Sequence, residues 1–577
     1  MILITLRRRR DGGMDGNLQF STVQSNRIAG YTPTGRIGIR TGRWTLTASG
    51  SGSFTPVALS RFTETRGQAG QPLPFAGRSD SKSRTNYGRG HFSAVFDPTP
   101  KHTAGFDIEY TERSTHMPTL SRTTLGQTQS DSRYRQHMGG NTLTATANYI
   151  WKIDTLGSQF KLIADYTRYT SHGDNSYHTT TCAPGTLRDS LYESATGSVY
   201  DILTADAGLT RKLPHGLTLR AGLRYTRNGM ADDSRYAAQM QGTWQALPEY
   251  GYDQHYTEQI GAAYASLEYS AGRWELSAGL RGEYTSVASQ AFGRSYFGLF
   301  PNVSVSRALN ALRTWLLVAQ WSRNIERPAF PALNPARIRI SDYSWQSGNP
   351  SLRPTYIHRF SLTAVWKYRY TLTVGGNLHH DLIREIAHRD ATDPDAVYIR
   401  PENHYTENHW FVAASVPAKI TRWWNLSVNA VGVMQRIRLN STDSPATHYL
   451  MFADATCSFT LPAGFFAEAA YRAQSRLYSG NSEVGPRHTL SATVKKQLFG
   501  KRLTLFCTLS NITGCDWEFA SLTDGMRRTI DARQAWSGRL WKAGAAWNFR
   551  AGKKFRARTV ESAAETQRKR LVKSTEQ

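Results

Sequence analysis

The chain has 577 residues, of which 39% are hydrophobic, 11% aromatic and 20% charged, and no stretch nears the ~18 consecutive apolar residues of a membrane helix. Its formal charge of +26 comes from 70 Lys+Arg against 44 Asp+Glu, mostly spread singly along the chain rather than in one patch, which argues against a nucleic-acid partner. Four cysteines (Cys182, Cys457, Cys507, Cys515) show neither CxxC nor zinc spacing, leaving at most a Cys507–Cys515 bridge.

The chain opens on Ile2-Leu3-Ile4-Thr5 and the basic run Arg7–Arg10, an order that is the reverse of a secretory signal, so no signal peptide is visible. From near Asn17 to Arg550 the pattern has period two, as in strands. Leu143, Ala145, Ala147, Tyr149 and Trp151 alternate with Thr142, Thr144, Thr146 and Asn148. Leu217, Leu219, Ala221, Leu223 and Tyr225 alternate with Thr218, Arg220, Gly222, Arg224 and Thr226. Trp274, Leu276, Ala278, Leu280 and Tyr284 alternate with Arg273, Glu275, Ser277, Arg281 and Glu283. The last such run sets Trp541, Ala543, Ala545, Trp547 and Phe549 against Lys542, Gly544, Asn548 and Arg550. Many runs reach the ~9–11 residues of a transmembrane strand.

Connections alternate in length. Tight turns at Asp97–His102, Asp154–Ser158, Leu213–Gly216, Ala271–Gly272, Asn310–Leu312, Lys367–Arg369, Lys419–Arg422, Pro462–Gly464 and Gly500–Lys501 are separated by long polar stretches. Pro56–Gly88, Ser114–Gly140, His172–Ser198, Gly229–His255, Pro328–Thr355 and Ile383–Asn408 are the long ones. Short turns at one end and long loops at the other predict an all-β, antiparallel, up-and-down transmembrane barrel of about 22 strands. An even count puts both barrel ends in the periplasm. Hydrocarbon allows no unpaired sheet edge, which is why the sheet must close.

Alternation also assigns faces. Arg220, Arg224, Arg273, Glu275, Arg281 and Glu283 are expected to face a wet lumen. Trp274, Tyr284, Trp315, Trp321, Trp541 and Trp547, at the ends of apolar faces, are expected to form headgroup girdles.

One segment is specific enough to carry a family resemblance. Gln320-Trp321-Ser322-Arg323-Asn324-Ile325-Glu326-Arg327-Pro328, then Leu333-Asn334-Pro335, then Gly348-Asn349-Pro350-Ser351-Leu352-Arg353-Pro354, resembles a signature of TonB-dependent receptors and most of all the receptor-like outer-membrane β-barrel proteins. Thr355 departs from it, since many relatives carry an acidic residue there. Tyr256–Ile260, Gly279–Glu283 and Phe300-Pro301-Asn302 resemble the family's barrel strands. The motif residues Arg327, Pro328, Asn334, Pro335, Gly348, Asn349, Pro350, Leu352 and Pro354 fall in a loop, where proline's missing N–H is harmless. Strand parity makes that loop extracellular; it either shapes a ligand mouth or only stiffens a long connection.

The resemblance implies residues 1–16 as the end of a plug, 17–550 as the barrel and 551–577 as a basic periplasmic tail. It implies a plug and signal peptide upstream, and import of a scarce solute across the outer membrane; the basic balance of the chain favours an anionic one. A TonB energy-transducing complex is a partner only if such a plug exists; outer-membrane lipid and lipopolysaccharide are the others. The alternatives are a non-transporting binding or structural barrel, or a non-functional fragment. No enzyme and no cofactor is expected: His379-His380-Asp381 with Glu385 lacks HExxH spacing, and His404 and His409 sit five apart in a polar stretch, so a metal site is not the ordinary reading.

Overall fold

A computed structural model describes residues 12–68, 71–290, 292–391, 393–553, 555 and 559–571. Among these, 22 antiparallel strands close into one barrel; seven further short strands belong to connections. Closure is made by the first strand, Gly13–Gln24, against the last, Leu540–Gly552, in register from Gly13 opposite Gly552 to Gln24 opposite Trp541. The first strand thus opens ahead of the expected Asn17. Of residues 1–16, expected as the end of a plug, 13–16 belong to this barrel strand, because they pair with the last strand, and 1–11 lie outside the described residues.

The nine tight turns all stand at one end. Two share the pattern Leu-Pro-x-Gly, Leu213–Gly216 and Leu461–Gly464. Proline fixes its own φ, and the next residue enters the left-handed region (His215 at 60°, Ala463 at 54°), which reverses the chain within one helical turn.

The other end departs from expectation. Apart from their tips, Pro56–Gly88, Ser114–Gly140 and His172–Ser198 are not loops but continuations of the ladder, and so are the two ends of Gly229–His255, whose middle holds the short strand Thr243–Ala246 and a 3-10 turn at Pro248–Tyr250. The strands Trp44–Gln68, Gln71–Phe96, His102–Leu125, Thr128–Lys152, Gln159–Ala183, Thr186–Lys212 and Leu217–Met240 run for 24 to 27 residues. Only ~9–11 residues cross a bilayer. Beyond it both faces meet water, so apolar alternation stops while backbone pairing continues. The wall is therefore tall between residues 44 and 240 and lower from Gly293 to Glu326, where strands have 12 to 16 residues.

In the part of the wall nearer the short turns the outer face is a continuous apolar surface: Leu223 is 64% exposed, Leu280 50% and Phe297 63%. A soluble protein does not display such a belt; lipid covers it. Buried apolar clusters lie inside instead. The largest joins wall residues Tyr200, Ile202, Met230, Tyr256 and Val287 to Phe330, Leu333 and Leu352 of the proline-rich loop. That loop folds into the barrel.

Candidate functional site at the barrel mouth

Arg327 ends the strand Trp315–Glu326 and turns the chain inward. Its Nη2 donates to Glu283 Oε2 at 2.7 Å and to Thr285 Oγ1 at 2.9 Å. Pro328 stops the ladder, and a single helical turn, Phe330–Leu333, buries Phe330 and Leu333 against the inner wall. Asn334 and Gly348 then close the base of the loop. The Asn334 side chain accepts from the Ala336 N–H at 2.9 Å, and its carbonyl accepts from the Gly348 N–H at 2.9 Å. A Cβ at position 348 would lie 2.1 Å from the Asn334 carbonyl oxygen, so only glycine fits. Asn349 donates to the Pro401 carbonyl at 3.0 Å and accepts from the Ser351 N–H at 3.0 Å. Leu352 is fully buried beside Phe330, and its carbonyl accepts from Arg294 at 2.6 Å. Pro354 is buried; Pro335 and Pro350 line a neighbouring cavity. At Thr355, where the resemblance leads to an acid being expected, the buried hydroxyl donates to the Asp381 carbonyl at 3.0 Å.

Between these anchors the hairpin Ile338–Ser341/Ser344–Gln346 crosses the lumen. Its stem, Ser344–Gln346, adds in parallel to Val397–Ile399. Its tip, Asp342, accepts from Ser132 Oγ at 2.8 Å and Tyr134 OH at 2.7 Å on another part of the wall. A third mooring is a buried charge network: Arg66 and Arg528 each lie 2.8 Å from Glu64, and Arg528 also donates to Ser344 Oγ at 2.9 Å. One loop is thus tied to strands from several sides of the barrel, as a bar across the mouth.

Of the six charges predicted to be lumenal, four are engaged in ion pairs. Arg220 pairs with Glu268, Arg224 with Asp206 at 2.8 Å, and Arg281 with Glu283, which also holds Arg327. Arg273 and Glu275 are exposed at the short-turn end, outside this cluster. The predicted girdle residues Trp274, Tyr284, Trp315, Trp321, Trp541 and Trp547 are all exposed on the outer face. Trp315 stacks on Trp366 at 5.7 Å and Trp547 lies 6.2 Å from Phe499, both beside short turns. Trp274 and Tyr284, ten residues apart on one strand, are separated by about 33 Å along it, which at barrel tilt spans the ~25 Å apolar band.

Sequence reasoning missed Glu258, Asn228, Asp206, Asp342 and Glu64. All but Asp342, a hairpin tip, stand on the polar face of their strands, but nothing local marks their partners: Asp206 meets Arg224, 18 positions on, and the others meet residues at least 208 positions away. It also treated His404 and His409 as separate loop residues. Both approach the buried Glu407, His409 Nε2 at 2.8 Å, and Arg384 and Gln435 donate to the same carboxylate at 3.0 and 2.8 Å. Among the described residues no group of three or more His, Cys, Asp or Glu could hold a metal. All four cysteines are free, so the Cys507–Cys515 bridge does not form.

The basic tail, expected as a periplasmic extension, is the main correction. Its described part, residues 559–571, lies against the inner wall. The Ala563 N–H donates to Asp165 at 2.7 Å, Asn228 donates to Gln567 at 3.2 Å, and Arg570 pairs with Glu258. The lumen holds buried carboxylates that need cations, and the tail is rich in them.

Beside the loop is a cavity of ≈ 600 Å³ lined by Arg337, Arg389, Arg400, His388, Asp390 and Glu402. Arg337 lies 3.3 Å from Asp390 and Arg400 2.7 Å from Glu402.

No curated protein matches the chain. Among solved structures, it is similar to the siderophore receptor PirA from Pseudomonas aeruginosa (TM-score 0.55, 12% identity, 94% of this chain and 82% of that one). It is also similar to a variant of the ferric enterobactin receptor PfeA from the same organism (0.59, 13%, 93% and 80%) and to the copper transporter OprC (0.62, 11%, 94% and 81%). At these identities the likeness is one of fold. The model of the outer membrane protein beta-barrel family matches residues 151–541, more than half of the chain. With its closed 22-strand wall and the architecture expected of TonB-dependent-receptor-like barrels, the chain belongs to the outer membrane protein beta-barrel family and is an integral protein of the outer membrane.

Proposed function

We propose that this barrel captures a scarce solute at its outer mouth and imports it, in the manner of a TonB-dependent receptor. The supporting observation is the bar made by residues 327–354. A barrel of 22 strands has a lumen wide enough to leak unless it is filled. Here the mouth is crossed by a loop held by many separate polar contacts rather than by one continuous ladder, an arrangement suited to opening. The cavity beside the bar sets three guanidiniums against two carboxylates, which favours an anionic solute. The similar siderophore and copper proteins support a receptor or transporter reading over an enzymatic one.

Growth-supporting uptake by cells carrying the gene, compared with and without a functional TonB complex, tests the reading. Uptake that requires TonB supports it. Uptake that is absent or independent of TonB replaces it with a passive binding barrel.

A further inference from the structure

The tail climbs the lumen in order. Val560 lies beside Gly105 and Glu561 pairs with Lys161, both near the short turns. Ala563 then meets Asp165, Gln567 meets Asn228 higher on the wall, and Arg570 reaches the mouth. Arg570 ends in a built site. It is 6% exposed, and its Nε donates to the Pro328 carbonyl at 2.9 Å. Its Nη1 donates to Glu258 and, at 2.8 Å, to Gln567, while its guanidinium lies 4.2 Å from the centre of the Phe330 ring. Leu571 packs on the same apolar cluster.

Glu258 is only 2% exposed, and a buried carboxylate is stable only beside a cation. Arg327 is the other candidate, yet it is committed to Glu283 at 2.7 Å and stands 3.8 Å from Glu258. Arg570 therefore supplies the direct counter-charge. It also joins two parts of the molecule, because Glu258 belongs to the wall and Pro328 and Phe330 to the mouth bar. The contacts below it are mostly polar, and Arg570 is the charged side chain by which the segment reaches both the wall and the mouth bar.

We propose that Glu258, Asn228, the Pro328 carbonyl and the Phe330 ring form a guanidinium-binding site inside the barrel. Its occupant is the chain's own Arg570, and residues 559–571 act as a displaceable strap that narrows the lumen and fastens the mouth bar from below. Any segment drawn into the lumen from the short-turn end would compete for the same wall.

The test is ion conductance of the full chain refolded into planar lipid bilayers, with heat-modifiable electrophoretic mobility as the check that each barrel has formed. Deleting residues 559–577 removes no barrel strand and is expected to raise conductance several-fold; Arg570→Glu, which sets a carboxylate against Glu258, is expected to do the same. A synthetic peptide of residues 559–577, added to the deletion variant, is expected to lower conductance again. Conductance unchanged in both variants, or a peptide without effect, overturns the strap. Because this measurement needs no TonB complex and no solute, its failure would leave the import reading standing, and failed uptake would leave the strap standing.

Discussion

Arg327 Nη2 and Glu283 Oε2 lie 2.7 Å apart, with side chains 8% and 4% exposed, where the mouth loop leaves the wall. Glu283 stands on one strand and Arg327 just past the end of another, 44 positions on, and the pair fixes the direction in which the loop departs. Removing the cation leaves Glu283 buried with Arg281 alone, which is itself partly exposed. Breaking a buried pair in this way costs about 3 kcal/mol. Arg327→Ala is expected to show that loss in urea unfolding from lipid vesicles, followed by tryptophan fluorescence. Arg327→Lys keeps the charge but not the two-point contact to Glu283 and Thr285, and should lose less. An Ala variant within about 0.5 kcal/mol of the parent would mean that the pair does not moor the loop.

Gly348→Ala is a test of the loop's base. The added methyl meets two carbonyl oxygens, at 2.1 Å (Asn334) and 2.7 Å (Ala332), and backbone cannot yield as a side chain can. The loop should come off its seat on Tyr200 and Met230 and become cleavable by added protease, while the barrel stays closed. Gly88→Ala, where nothing lies within 4 Å of the new methyl, is the control and should resist cleavage like the parent.

How much of this was legible follows from what faces water or lipid. In the part of the wall nearer the short turns one face meets each, so Leu217–Tyr225 and Trp274–Tyr284 alternate cleanly and their register could be read. Above the bilayer both faces are wet, and Ser114–Gly140 read as loop although it is paired on both sides of its Gly126-Gln127 turn. Inside the mouth the rule inverts. Ile202, Met230 and Tyr256 are apolar residues on the inner face because a loop more than 70 positions away packs on them. The motif Arg327–Pro354 marked the loop as special through its prolines and glycine, but not where it docks. Nothing in the tail's composition distinguished a free extension from one drawn inward by Glu258.

A pH effect is expected at the outer hairpin Leu477–Ser479/Ser482–Val484, which extends beyond the barrel ladder. Burial pushes the Glu483 carboxyl up, but hydrogen bonds and charge from Arg476 and Arg527 outweigh it and hold the group below its ordinary value. A depressed carboxylate adds stability that is present above the unfolded value of about 4.3 and is lost as pH falls through the folded one. Amide protection of residues 477–484 should therefore persist at neutral pH and fall in acid. In Arg527→Ala the fall should begin at higher pH. A hairpin whose protection ignores both acid and that substitution would show that the ion pairs do not hold it.

The membrane reading itself is tested by one substitution made at two heights. Leu280 and Leu187 are both exposed, at 50% and 72%, and a soluble protein would treat them alike. Leu280 lies midway along Trp274–Ser289, in the apolar belt, whereas Leu187 is next to the tip of the tall hairpin formed by Gln159–Ala183 and Thr186–Lys212. An arginine on the lipid face near the midplane costs about 2–4 kcal/mol, falling towards zero at the interfaces. Leu280→Arg should lose that amount in reversible unfolding from vesicles, and Leu187→Arg should be indistinguishable from the parent. Equal tolerance at both positions would contradict a lipid-facing belt at Leu280, because hydrocarbon cannot solvate the guanidinium that water at the hairpin tip solvates freely.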